Sequence, residues 1–220
     1  MRTTSFARVL VALLLLAWPV ASQAQFTVYT DLASFLAATT GAGTDTFDNL
    51  SITNSTPTPL VRNAGAFGYT ATVNTTTFYG AGTATDHWLS TNTSTDIIRF
   101  SGFSAQVRGV GGYFFGTDVT GAFRSATSVI VRATNAAGTT SQTLVNTTLG
   151  TFLGFVSTSD IFSVTVETVL PPSGFAWPTV NDFVLAAAPN ANVVPEPATY
   201  ALFSAGLLIV GVVAQRRRRG

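Results

Sequence analysis

The sequence predicts an all-β protein. It reads as an antiparallel β-sandwich, jelly-roll-like, with one short N-terminal helix, followed by a C-terminal transmembrane helix. Three observations carry this. Threonine is the most abundant residue and phenylalanine reaches 17 copies, and both suit a pleated, half-buried surface. From residue 25 to residue 188 short apolar runs are broken by Gly, Asn, Asp and Thr, which punctuate strands rather than helices. Within Ile161–Val169, Phe162, Val164 and Val166 alternate with Ser163, Thr165 and Glu167, the period of a strand with one wet face. No fixed-period repeat points to a solenoid or a propeller.

The elements follow in chain order. Residues 1–24 read as a secretory leader: Arg2 and Arg8 supply the positive start, Val9 to Trp18 the apolar stretch, and Pro19 the break. Ser22 and Ala24 put small residues at the −3 and −1 positions, so cleavage is expected between Ala24 and Gln25. The domain then spans 25–188. Thr30 to Ala38 reads as a short helix with Leu32, Phe35 and Leu36 on one face and Thr30 or Asp31 as its cap. Strands are expected at Phe67–Val73, Ile97–Phe103, Val107–Phe115 and Ser128–Ala133. More are expected at Ser141–Asn146, Thr151–Val156, Ile161–Val169 and Asp182–Ala188. Thr75 to Thr95, rich in Thr, Ser and Asn, reads as a long loop or irregular edge. Residues 189–194 form a linker and 195–220 a separate tail.

Charge is sparse and unevenly placed. Only 10% of residues are charged, and there is no lysine and no cysteine. Six of the arginines lie in the two ends, leaving Arg62, Arg99, Arg108, Arg124 and Arg132 against nine acidic residues in the domain. A mildly acidic domain lacks the cations that neutralise phosphates, which argues against nucleic acid as a partner. Without cysteine there is no disulfide framework, thiolate metal site or thiol nucleophile. A domain of this size can nonetheless bury a core without such staples.

The tail has three parts: Pro195-Glu196-Pro197, an uncharged run from Ala198 to Ala214, and Arg216, Arg217, Arg218 and Arg219. A helix of about seventeen residues spans about 25 Å, near the lower limit for crossing a bilayer. The arginines act as a stop-transfer cluster and hold the C-terminus in the cytoplasm, so both ends agree on a domain outside and a tail within. The two prolines favour an extended segment just before the helix, accessible to a membrane enzyme. In this order and position the parts resemble the PEP-CTERM sorting signal. That resemblance implies processing near the triplet by exosortase, a membrane enzyme of Gram-negative bacteria that also make exopolysaccharide. It further implies transient residence in the inner membrane, then release to the cell surface or biofilm matrix, with exopolysaccharide as a possible partner. Thr46–Leu50, Gly111–Gly116, Phe152–Phe155 and Val180–Phe183 are also similar, more loosely, to pieces of β-sandwich ectodomains found in PEP-CTERM proteins.

The inventory for catalysis is thin. His87 is the sole histidine, reads as a loop residue, and has no G-x-S-x-G elbow beside it. Glu167 is the one glutamate of the domain and faces solvent in its strand, so a paired-carboxylate glycosidase is disfavoured. The expectation is a non-catalytic surface or matrix protein, with a carbohydrate-binding module as the alternative and a hydrolase a distant third. Trp88, Trp177, Tyr69 and Tyr79 are the candidate sugar-stacking aromatics. No organic cofactor is expected. Asp45 and Asp48 near the first strand and Asp182 in the last are the candidate ligands of a structural Ca²⁺, since terminal strands of a sandwich neighbour each other. No D-x-D-x-D-G loop accompanies them.

Overall fold

The computed structural model describes residues 26–104 and 106–188, together with Gly206. The expected leader with its Ala24–Gln25 cleavage point, the linker, and the tail's triplet and arginines all lie outside the described residues. Among the described residues no helix is long and apolar enough to cross a membrane.

Two antiparallel sheets form the domain. The first holds eight strands: β1 (Phe26–Tyr29), β2 (Thr40–Asp45), β3 (Ser55–Thr56), β6 (Phe78–Gly82), β7 (His87–Thr91), β9 (Gly109–Thr117), β12 (Phe152–Ser157) and β14 (Trp177–Ala187). The second holds β4 (Leu60–Ala64), β5 (Phe67–Val73), β8 (Ile98–Ser101), β10 (Ser128–Asn135), β11 (Gly138–Val145) and β13 (Ile161–Val169). Their orders are β1-β12-β9-β14-β7-β6-β3 and β11-β10-β13-β8-β5-β4, with β2 also paired to β14. β14 is long enough to take β7 at Val180 and β2 from Phe183 to Ala187.

The sheets bury one core between them. Phe183 of the first stacks on Phe100 of the second, with centroids 4.1 Å apart and planes within 17°, and Tyr69 meets Phe183 edge-on at 5.3 Å. Val180, Phe183 and Leu185 of β14 lie in that core, while Val184 and Ala186 face outward. The outward pair lies under a short helix, α1 (Leu32–Ala37), where Phe35 packs on Tyr29 and Phe152. Asp31 caps α1 by accepting a hydrogen bond from the Ser34 N–H at 2.8 Å. Gly154 makes the approach possible, because a Cβ there would lie 2.5 Å from the Phe35 ring.

β5 and β13 coincide with their expected ranges, and the other six expected strands differ at their ends. Several expectations need correction. The Thr75–Thr95 segment contains β6 and β7 rather than a loop, so His87 begins a strand. β1 to β4 were not foreseen, and β14 begins at Trp177 instead of Asp182. Leu36 is 41% exposed, so only Leu32 and Phe35 of the helix face the sheet. Phe162 is 54% exposed and does not share the face of Val164. The cause is a bulge: Thr134 pairs with Ser163 and Asn135 with Ile161, which leaves Phe162 unpaired and turned out. Glu167 does lie on the wet face, bound to Arg132 at 2.7 Å.

The stacked ring at the centre should dominate stability. Phe183→Ala is expected to cost about 3–5 kcal/mol, the range for deleting a buried phenylalanine, read as a lower urea midpoint.

Candidate functional site

The three aspartates considered for Ca²⁺ are separated by strand geometry. Asp45 ends β2 opposite Phe183 and points between the sheets, where it is 5% exposed. There the Arg62 Nε donates to Oδ2 and Nη2 to Oδ1, both at 2.6 Å, and the Tyr69 hydroxyl donates to Oδ2 at 2.7 Å. The Phe47 N–H adds a fourth bond at 3.1 Å. Burial opposes the Arg62 charge, but the hydrogen bonds and charge of Asp45 outweigh it and hold the guanidinium above its ordinary pKa. Burial, reinforced by the Asp45 charge, pushes the Tyr69 hydroxyl far above its usual range. With its oxygens so engaged, Asp45 serves the fold and is not available as a metal ligand.

Asp182 turns the other way. Val180 and Phe183 both face the core, so the two residues between them, Asn181 and Asp182, form an outward bulge, with Asp182 at φ +46°. Asp86 and Asp48 approach from neighbouring segments. The Asn181 Nδ2 donates to Asp86 Oδ1 at 3.0 Å, and the His87 N–H to Asp48 Oδ1 at 3.0 Å. Among the described residues no three His, Cys, Asp or Glu side chains are grouped to hold a metal ion, so the expected trio is not assembled. His87 bonds through Nδ1 to the Leu50 carbonyl at 2.7 Å, pinning the Asp48–Leu50 segment to β7.

A cleft opens on the outer face of the first sheet. Register puts Tyr79 across from Ser90, and Trp177 across from Thr117. These four, with Thr179, therefore form one row over β9, β14, β7 and β6. The hydroxyls of Ser90, Thr117 and Thr179 close a buried triangle at 2.8–3.3 Å. The 118–121 turn forms one wall, tied to β6 by the Gly82 N–H donating to the Gly121 carbonyl at 3.0 Å. Gly121 has φ +79°, and its Cα faces Ala81 so closely that a Cβ would sit 3.0 Å away. Asp118 accepts from Thr120 Oγ1, the Thr120 N–H and the Ala122 N–H through one oxygen. Those bonds, the Thr120 side chain foremost, hold its carboxyl below the usual range.

The cleft encloses about 220 Å³, with Tyr79 and Trp177 partly exposed beside Thr91, Asn92 and Asp118. Two of the four candidate aromatics thus meet here. The others do not: Tyr69 belongs to the Asp45 knot, and Trp88 is buried edge-on against Phe115 at 4.9 Å. The polar floor was missed in the sequence, where Ser90, Thr117 and Thr179 look like ordinary strand residues. Their signal lies only in the pairing of three strands.

Comparison with known proteins gives one positive result. Residues 193–219 match the family model of the PEP-CTERM protein-sorting motif. The motif is that of proteins processed by exosortase and sorted towards the cell surface. No curated protein and no solved structure matches the chain.

The acidic bulge makes a pH-dependent prediction. Burial first, then the charges of Asp86 and Asp48, raise the pKa of Asp182. A raised carboxyl pKa stabilises the fold below the ordinary carboxylate range, and the contribution is lost as pH rises through the folded-state value. Asp182→Asn keeps the left-handed conformation, which asparagine tolerates, and removes that loss. Thermal melts should show a higher Tm for the variant at pH 7 and no difference at pH 3.

Proposed function

We propose that the chain is an exported surface or matrix protein whose ectodomain is displayed, without catalysis, after exosortase processing of its tail. The observation that carries this reading is the sorting motif at 193–219. The physical parts of the two ends support it. A leader cleaved after Ala24 delivers the domain outside, the 198–214 run spans the inner membrane, and Arg216–Arg219 hold the end inside. Pro195-Glu196-Pro197 is the exosortase recognition segment, extended and set just beyond the bilayer.

Replacing that triplet by three alanines separates this reading from a plain anchor. The apolar span is untouched, so insertion should persist, while processing should fail and the uncut form accumulate at the inner membrane. Expression of both forms in an exosortase-containing host, followed by product size and fractionation, tests it. A triplet variant processed like the parent leaves only an anchor.

A carbohydrate-binding role is a second reading, favoured by the cleft. Sugars present apolar C–H faces to aromatic rings and hydroxyls to polar groups. Tyr79 and Trp177 supply the former, and Asn92, Thr91 and Asp118 the latter. The extracellular polysaccharide of the producing cell is the ligand this reading selects. Trp177→Ala should then weaken retention on immobilised polysaccharide by about tenfold, the equivalent of about 1.4 kcal/mol, with the melting curve little changed. Equal retention of the two proteins removes the cleft from the account.

A further inference from the structure

The second sheet ends in an edge built unlike the others. β11 runs for eight residues and pairs with β10 in unbroken register from Ser128–Val145 to Asn135–Gly138. Its sequence, Gly-Thr-Thr-Ser-Gln-Thr-Leu-Val, holds no charge and no proline. In an antiparallel pair, alternate residues turn their N–H and C=O groups away from the partner strand, so β11 presents a row of open backbone groups. Among the described residues no backbone hydrogen bond joins β11 to anything beyond β10.

Natural sheets blunt such edges with short strands, charges, prolines, bulges or covering segments. The other edges here use those devices. β1 has four residues and β3 two. β4 has five, follows Pro59 and carries Arg62 at its centre. The pairing of β2 is interrupted by a register shift, and its Gly43 lies so close under Ala64 and Gly65 that a Cβ would strike their backbone. β11 alone among them is long, regular and uncharged.

We infer that β11 is a self-association edge: it pairs antiparallel with β11 of a second copy of this chain, about a two-fold axis, to join two six-stranded sheets into one. A second copy is the occupant selected by the local chemistry. An edge without charge does not repel its own image, whereas recognition of a charged partner would need side chains that β11 lacks. The nearest charge on β10, Arg132, stands opposite Ser141 and is already neutralised by Glu167 at 2.7 Å. Antiparallel continuation also repeats the pattern of every other pairing in the sheet. A surface-displayed protein with such an edge cross-links its copies without any disulfide.

The absence of cysteine makes the test clean. The full chain, purified in detergent, is made with a single cysteine at Ser141→Cys on the exposed row of β11. A second protein carries Val119→Cys, an exposed position (74%) on the first sheet's loop. Oxidation should convert Ser141→Cys to covalent dimer several-fold faster than Val119→Cys. Adding Thr143→Pro to the Ser141→Cys protein should reduce that rate to the Val119→Cys level, because a proline on the edge blocks the close approach of a second strand beside Ser141. Melting curves of each variant confirm that the fold is intact. Equal dimer yields from positions 141 and 119, or cross-linking undiminished by the proline, overturn the inference. A monomer mass for the parent chain by light scattering overturns it as well.

Discussion

A single carboxylate between two sheets constrains how this sandwich can close. Asp45 belongs to the first sheet and Arg62 and Tyr69 to the second, so the bidentate pair at 2.6 Å spans the interior. Moving an ion pair out of water costs several kcal/mol per ion, and attraction offsets this only when geometry is good and the remaining lone pairs are bonded. Both conditions are met, through the tyrosine hydroxyl and the Phe47 N–H. The knot also fixes register. A one-residue slip of β2 would turn Asp45 to the outer face and leave Arg62 buried without its partner. Arg62 is held from a third side by Asn49 at 2.8 Å and lies over the Phe47 ring at 5.2 Å. The segment after β2 is therefore fastened to the same point.

From that fixed register the outer face of the first sheet follows. Asp45 opposes Phe183, and the bulge at Asn181–Asp182 lies just before it on β14. The bulge shifts the alternation of β14 between its two halves. Val184 and Ala186 then face α1, while Trp177 and Thr179 on the other side of the bulge face the cleft. One strand thus serves a small apolar cover at one end and a polar floor at the other. The acidic residues gather where the two halves meet, because the bulge turns two consecutive side chains outward where regular pairing would turn one.

How much of this was legible depended on whether a strand had one wet face. β5 and, beyond its bulge, β13 alternate because solvent lies on one side of them, and their ranges were readable to the residue. β6 and β7 do not alternate: Phe78 and Leu89 enter the main core while Ala81 and Trp88 are buried on the opposite face with Phe115. Burial on both faces by small and hydroxylated residues looks like a loop in sequence. β2, Thr-Gly-Ala-Gly-Thr-Asp, has almost no apolar signal and exists through its pairing with β14. The first strand, β1, pairs with β12; it is β2, carrying Asp45, that meets the last strand, and the metal inference failed on side-chain direction. Asp45's partners lie 17 and 24 residues away, a distance over which a chain offers no local cue.

The C-terminal motif is legible for the opposite reason. Sorting information is linear: a charge cluster, an apolar length and a proline-framed carboxylate mean the same in any extended chain, so composition and order suffice to read them. The cleft in the domain is topological. The row from Tyr79 to Trp177 needs four strands in register, and the hydroxyl triangle beneath it needs three. The domain is held by packing and, among the described residues, by one buried ion pair, without cysteine. The fold is thus independent of redox conditions. The tail therefore carries the sorting signal, while the outer face and open edge are features of the folded domain alone.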